Sequence, residues 1–142
     1  MPAKTVEDEI RQASEQFYAA LNRLVNGDTG PMMEVWSHSS DVTTLRPLGS
    51  RPTGWEQVRD RWEQVAQAFS NGQASIEDLV VVPLSDDVAY TVDTEHGQAK
   101  LADETVGIDW RVTNIYRREE GKWKMVHHHT DVSGALVEDL ER

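Results

Sequence analysis

Cysteine is absent from the 142 residues, which excludes disulfides, thiolate nucleophiles and cysteine-based zinc or iron–sulfur sites. Basic residues are scarce: 14 Lys and Arg face 25 Asp and Glu, a net charge of −11. A surface of that sign repels phosphate backbones and anionic lipid, so neither nucleic acid nor membrane is an expected partner. No apolar run reaches membrane-spanning length. Met1 to Ile10 is acidic and lacks the apolar stretch of a secretory signal, and the expected location is cytoplasmic. No glycine-rich phosphate loop follows a strand, and there is no Ser–His–Asp motif context.

What remains is an ordinary soluble composition, 38% apolar and 27% charged, enough for one domain over residues 1–142 with one core. Five tryptophans are a surplus in so short a chain, and suit a core, a pocket wall or an interface. Val6, Ile10, Ala13, Phe17, Leu21 and Leu24 recur at three and four residues and predict a helix, capped by Thr5 with Asp8 and stopped at Asn26-Gly27. A short helix is expected from Pro31 to about Trp36, and a strand from Asp41 to Leu45. Arg46 to Pro52 is turn chemistry. Thr53 and Glu56 form a T-x-x-E box ahead of a second long helix, with Trp55, Val58, Trp62, Val65 and Phe69 on one face and Asn71-Gly72 at its end. Strands follow over Ser75–Leu84, Val88–His96, Val106–Arg118 and Trp123–Val132, the last two joined by the turn Glu119-Glu120-Gly121-Lys122. Helices first and an antiparallel meander after them define an α+β domain. The segment from Ser133 reads as a short acidic tail.

The stretch from Thr113 to His129, with its Arg-Arg-acidic-Gly-Lys-Trp turn and Val-His-x-His strand, resembles the last hairpin of SnoaL-like proteins. It is also similar to the association domain of calcium/calmodulin-dependent protein kinase II. Trp36-Ser37-His38-Ser39-Ser40-Asp41-Val42-Thr43, followed by Gly54-Trp55-Glu56-Gln57-Val58, resembles a bacterial subgroup of the same nuclear transport factor 2-like superfamily. The resemblance implies a cone: N-terminal helices packed on a curved antiparallel sheet that encloses a pocket. It specifies chemistry weakly, since such cones host isomerases, cyclases, dehydratases, hydrolases and assembly domains. Asp41 to Gly49 is similar to the ketosteroid isomerase strand carrying that enzyme's catalytic Asp, but Arg46 stands at that position and cannot be a base at neutral pH. The oxyanion-hole acid falls at Thr113 or Asn114, neither of which carries a carboxyl. Asn114 and Thr130 also match two pocket arginines of the kinase association domain; Arg46 or Arg111 could substitute for them.

Among candidate groups, His127-His128-His129 stands out. On a strand, His127 and His129 share one face and His128 takes the other. His-x-His is a metal-ligand spacing, needing a third ligand such as His38, Asp93 or Asp109. The alternative is a set of hydrogen-bonded wall or interface residues, and no metal is expected. His38 beside Asp41 has the makings of an oriented general acid/base. Asp93 and His96 differ in strand parity, so one of them faces the interior. Tyr18, Trp36, Trp55, Trp62, Tyr90 and Trp110 could line an aromatic pocket, with Trp55 and Trp62 equally at home in a helix core stripe.

The expected function is a pocket for a small, largely apolar ligand, with cofactor-free acid/base chemistry of the isomerase, cyclase, lyase or hydrolase type. His38 with Asp41, or His129, would move the proton; Asn114 and Tyr18 would steady developing charge. Phe17, Leu21, Trp36, Arg46, Trp55, Tyr90, Trp110 and His128 would complete the walls. The alternative is a non-catalytic ligand-binding or oligomerisation domain. A homodimer through the outer sheet face is expected in either case.

Overall fold

The computed structural model describes residues 4–46 and 50–132. In chain order the elements are α1 (Val6–Leu24), α2 (Gly30–Val35), β1 (Thr43–Leu45), α3 (Trp55–Ala68), β2 (Phe69–Pro83), β3 (Val88–Leu101), β4 (Glu104–Glu119) and β5 (Lys122–Val132). The strands form a single curved, unclosed sheet in the order β1-β5-β4-β3-β2, antiparallel throughout except that β1 runs parallel to β5. Helices on the concave face complete an α+β cone.

The expected box at the start of α1 is present: Asp8 N–H donates to Thr5 Oγ1 at 3.1 Å and Thr5 N–H to Asp8 Oδ2 at 3.3 Å. The helix buries Ile10, Phe17, Leu21 and Leu24, the stripe read from the sequence. Its last turn and the turn that follows it hold β2 by side chain. Asn22 pairs with both backbone groups of Ala74 (2.7 and 2.9 Å), and Asn26 does the same to Gly72 (2.8 and 3.2 Å). These amides take the place of a neighbouring strand where β2 is irregular.

The start of α3 differs from the expectation. Gly54, at φ 85°, is the capping residue, and no side-chain cap forms. Gln57 reaches back to the Thr53 N–H at 3.0 Å, so the Thr53–Glu56 box is not made. Gly54 N–H instead donates to Val42 O, and Thr43 bridges Thr53, which ties the helix start to β1. Asn71-Gly72 does not end α3 either, because the chain passes directly from Ala68 into β2. Asn71 and Asp78, both at positive φ, mark two register shifts against β3. Such bulges bend a sheet, and here they curl β2 over the helices. At Gly97 the strands come so close that an added Cβ would lie 1.9 Å from Gln73 O. The expected turn at 119–122 forms with Glu120 and Gly121 both at positive φ, a two-residue hairpin. The expectations for residues 1–3, 47–49 and the tail from 133 lie outside the described residues.

Candidate functional site

Strand parity decides what faces the interior. On β3 the inward set is Ala89, Thr91, Asp93 and Glu95, all buried. The outward row begins with Val88, Tyr90 and Val92 before Thr94 and His96, so in the first half of the strand the outer face is the more apolar, an inversion of the usual pattern. Register carries the inward row across the sheet: Thr91 stands opposite Asn114 on β4, and Asn114 opposite His128 on β5. His128 is buried, while His129 is exposed on the other face beside half-buried His127.

A cavity of about 50 Å³ lies between this inward face and the helices. Its apolar walls come from α1 (Leu21), the turn after it (Val25), α3 (Trp62, Val65), β2 (Ala74), β3 (Ala99) and β4 (Val106, Ile108, Trp110). Four polar side chains join them: Arg46 just past β1, Glu95, His128 and Thr130. Phe69, Val106, Ile108 and Trp110 are half-buried members of the lining.

The polar groups are unusually placed. Arg46 packs its guanidinium over the Trp62 ring, 4.5 Å from the centroid, yet its Nε and Nη2 are buried without a hydrogen-bond partner. Glu95 Oε2 and Thr130 Oγ1 are buried and unpartnered too. Burial, with repulsion from Arg61, lowers Arg46 to about 10, against the pull of Glu95. Burial, reinforced by the charge of Asp93, pushes the Glu95 carboxyl up to about 7, with Arg46 opposing. Asp93 is raised by burial to about 6; Tyr18 Oη donates to both its oxygens at 3.0 Å and holds it lower than burial alone would. Tyr18 itself is pushed far up by burial and by Asp93. His128 shares a 2.6 Å hydrogen bond with Asn114 Oδ1. An amide oxygen can only accept, so the proton sits on His128 Nδ1. Burial first, then the Arg46 charge, holds this imidazole well below its ordinary range, and it is neutral at physiological pH.

Of the residues proposed from sequence, Leu21, Arg46, Trp110 and His128 line the cavity. Phe17 packs on His128 with ring centroids 5.1 Å apart, Asn114 orients His128, and Tyr18 grips Asp93. Others lie elsewhere. Trp36 is core, against Trp62 and bridged to Met125. Trp55 stacks on His38 outside the cavity, centroids 4.1 Å apart and planes at 10°. Tyr90 belongs to the outward set of β3. The expected His38–Asp41 pairing does not form. His38 is exposed and donates from Nε2 to Met33 O at 2.7 Å. Asp41 is gripped by Arg117 at 2.8 and 3.2 Å and accepts from Ser39, which holds its carboxyl down at about 2. Arg117, not His38, is the partner of this carboxylate, in a charge-assisted pair. His129 points away from the interior, and none of the proposed third ligands joins it: Asp93 faces inward, Asp109 pairs with His96 at 3.3 Å, and His38 lies against Trp55. Among the described residues no three histidine or carboxylate groups converge on a metal position.

Glu95 is the functional candidate missed in the sequence. Its signal was available, since it lies two residues from Asp93 and shares its face. The alternation of β3 hid it, because the apolar set would ordinarily be taken as the inner one.

The model of the SnoaL-like domain matches residues 10–132, and the chain belongs to that family. No curated protein matches the chain. Among solved structures it is similar to a candidate dehydratase of the nuclear transport factor 2-like family from Streptomyces avermitilis (TM-score 0.80, 22% identity, covering 91% of this chain and 96% of that one). It is also similar to a ketosteroid isomerase-like protein from Erwinia carotovora atroseptica (0.77, 16%, 93% and 100%). A third is a candidate calcium/calmodulin-dependent protein kinase II association domain from Xanthomonas campestris (0.75, 18%, 95% and 93%). At these identities the likeness defines the fold. No helix among the described residues is long and apolar enough to cross a membrane.

Proposed function

We propose that this SnoaL-like domain binds a small, largely apolar molecule bearing one oxygen function and acts on it by cofactor-free acid/base chemistry, with Glu95 as the proton-transferring group and Arg46 as the anchor. The observation that carries this reading is the juxtaposition of two unpaired buried groups, Arg46 Nε/Nη2 and Glu95 Oε2, in one apolar cavity. Buried charged groups without partners are destabilising and rare, and they persist where a ligand supplies the missing bonds. A carboxyl poised near neutrality can both give and take a proton at physiological pH. His128, locked neutral by Asn114, and Asp93, occupied by Tyr18, support the site and leave Glu95 as the free acid/base. This assignment replaces His38, Asp41 and His129. The alternative, ligand binding without turnover, shares the same cavity and the same anchor.

A thermal-shift screen of small apolar compounds with one carbonyl, hydroxyl or carboxyl group tests the reading. Compounds that stabilise the wild type should lose their effect in Arg46→Met and change it in Glu95→Gln. Stabilisation that survives both substitutions but vanishes in His38→Ala would place the site elsewhere.

The outward face of the sheet supports a second part of the proposal, a homodimer. Val80, Val82, Tyr90, Val92 and Ile115 share that face by register, with Val80 52% and Val92 40% exposed. An apolar stripe on a central strand calls for cover, and a second copy of the same face provides it. A monomeric mass by light scattering at micromolar concentration would contradict this.

A further inference from the structure

We propose that the ligand of this cavity is a small apolar monocarboxylic acid, gripped by the Nε/Nη2 edge of Arg46 and bound together with a proton shared between its carboxylate and Glu95. The inference deepens the proposed function and rests on its cavity.

The protein itself displays the complementary geometry. On the outer face, Arg111 presents Nε and Nη2 to Asp131 and holds the two carboxylate oxygens at 2.8 and 2.8 Å. Arg46 has the same two donors buried and empty. That planar fork matches a planar two-oxygen acceptor, which is why arginine is favoured at carboxylate sites. Its guanidinium carbon lies 4.5 Å from the centroid of the Trp62 ring, a cation–π contact that holds the head in the cavity wall. Apart from Glu95, His128 and Thr130, the remainder of the cavity lining is apolar. Its 50 Å³ accommodates a headgroup of a few heavy atoms. A tail would continue toward the half-buried apolar lining, Phe69, Val106, Ile108 and Trp110.

Charge then dictates the proton. The groups facing Glu95 are Asp93 on its own strand, Arg46 beyond β1, Tyr18 on α1 and His128 on β5; Arg61 on α3 acts on Arg46. Tyr18 and His128 are uncharged at neutral pH, so Arg46 is the positive charge within the cavity wall. A ligand carboxylate beside an ionised Glu95 would set two anions in the cavity, with Asp93 behind them, against one cation in a low-dielectric space. One shared proton removes the conflict and gives Glu95 Oε2, otherwise unpartnered, a hydrogen bond to the ligand. A tetrahedral dianion such as phosphate would bring a second charge with nothing to meet it.

Isothermal titration calorimetry on the intact chain tests this, with benzoate as the acid probe and acetophenone as its neutral counterpart. Experiments in phosphate and in Tris separate proton uptake from binding enthalpy. At pH 7.5 the wild type should take up about 0.75 proton per benzoate, the fraction of Glu95 ionised beforehand. Its benzoate affinity should fall about tenfold per pH unit above 7. Glu95→Gln should bind benzoate with no uptake and little pH dependence. Arg46→Lys, which keeps the charge and loses the fork, should weaken benzoate at least about tenfold and acetophenone, which offers a single oxygen, by clearly less. Benzoate binding without proton uptake, equal uptake in Glu95→Gln, or undiminished affinity in Arg46→Lys overturns the inference. Acetophenone binding with no benzoate binding overturns it while sparing the cavity as the site. Failure of both probes overturns the cavity reading as well.

Discussion

Replacing Glu95 by Gln should make the protein more stable at neutral and alkaline pH, although it removes a charge facing an arginine. In the unfolded chain this carboxyl ionises near 4.5; in the folded chain it keeps its proton to about 7. Between those values the folded state binds more protons, so stability falls as pH rises through the window, and above pH 7 the deficit is complete. At 1.36 kcal/mol per pKa unit the deficit is about 3 kcal/mol. The attraction of Arg46 is already contained in that shift, and burial outweighs it. Gln has nearly the same shape and cannot ionise, but its amide brings unmet hydrogen bonds that cost about 1–2 kcal/mol. The net gain at pH 8 should be about 1–2 kcal/mol, shrinking to nothing or reversing near pH 5. Urea unfolding of both proteins at pH 5, 6, 7 and 8 measures it. A Glu95→Gln protein clearly less stable than wild type at pH 8 would refute the reasoning, because Glu95 would then be a structural counter-ion to Arg46 rather than a free titrating group.

Tyr18→Phe removes the hydroxyl that both Asp93 oxygens accept; it should destabilise by about 1.5–3 kcal/mol at pH 8 and by less at pH 5, where Asp93 carries its proton. Trp62→Ala empties the floor beneath Arg46 and should destabilise by about 3–5 kcal/mol in urea unfolding. Asp41→Asn cuts a pair whose carboxylate side chain is 62% exposed, and unfolding measurements should find a loss below about 1 kcal/mol. Once a substrate is found, His38→Ala should change turnover by less than about tenfold, whereas Glu95→Gln should reduce it by roughly two to four orders of magnitude.

The cone was legible because its signals were local and mutually consistent. The α1 stripe with its Thr5–Asp8 cap, the Trp-rich face of α3 and the Glu120-Gly121 turn each carry their own physical cause, and a motif spanning Thr113 to His129 bound them together. Parity on β5 also separated His128 from its two neighbours. The site was less legible because it breaks the rules that make a fold readable. Interior positions of β3 carry Thr, Asp and Glu, while Val88, Tyr90 and Val92 look outward. Asp41 looked like a partner for His38 because they lie close in sequence, but the pairing was decided by Arg117, whose side chain reaches it from β4. Arg46 was singled out as an anomaly of alignment; that its guanidinium is buried and unpaired depends on Trp62, Glu95 and the path of the chain after β1. Residues far apart in sequence set these environments, and no local pattern records them.

The most direct test of the interior site is a carbon-detected NMR titration of the side-chain carboxyls in uniformly labelled protein, from pH 3 to 9, with Glu95→Gln used to assign the resonance. Glu95 should titrate near pH 7, coupled to a second transition of Asp93 near pH 6. A Glu95 midpoint at or below the ordinary 4.5 would mean that the carboxyl is solvated or tightly ion-paired, and would contradict its role as the acid/base group of the cavity.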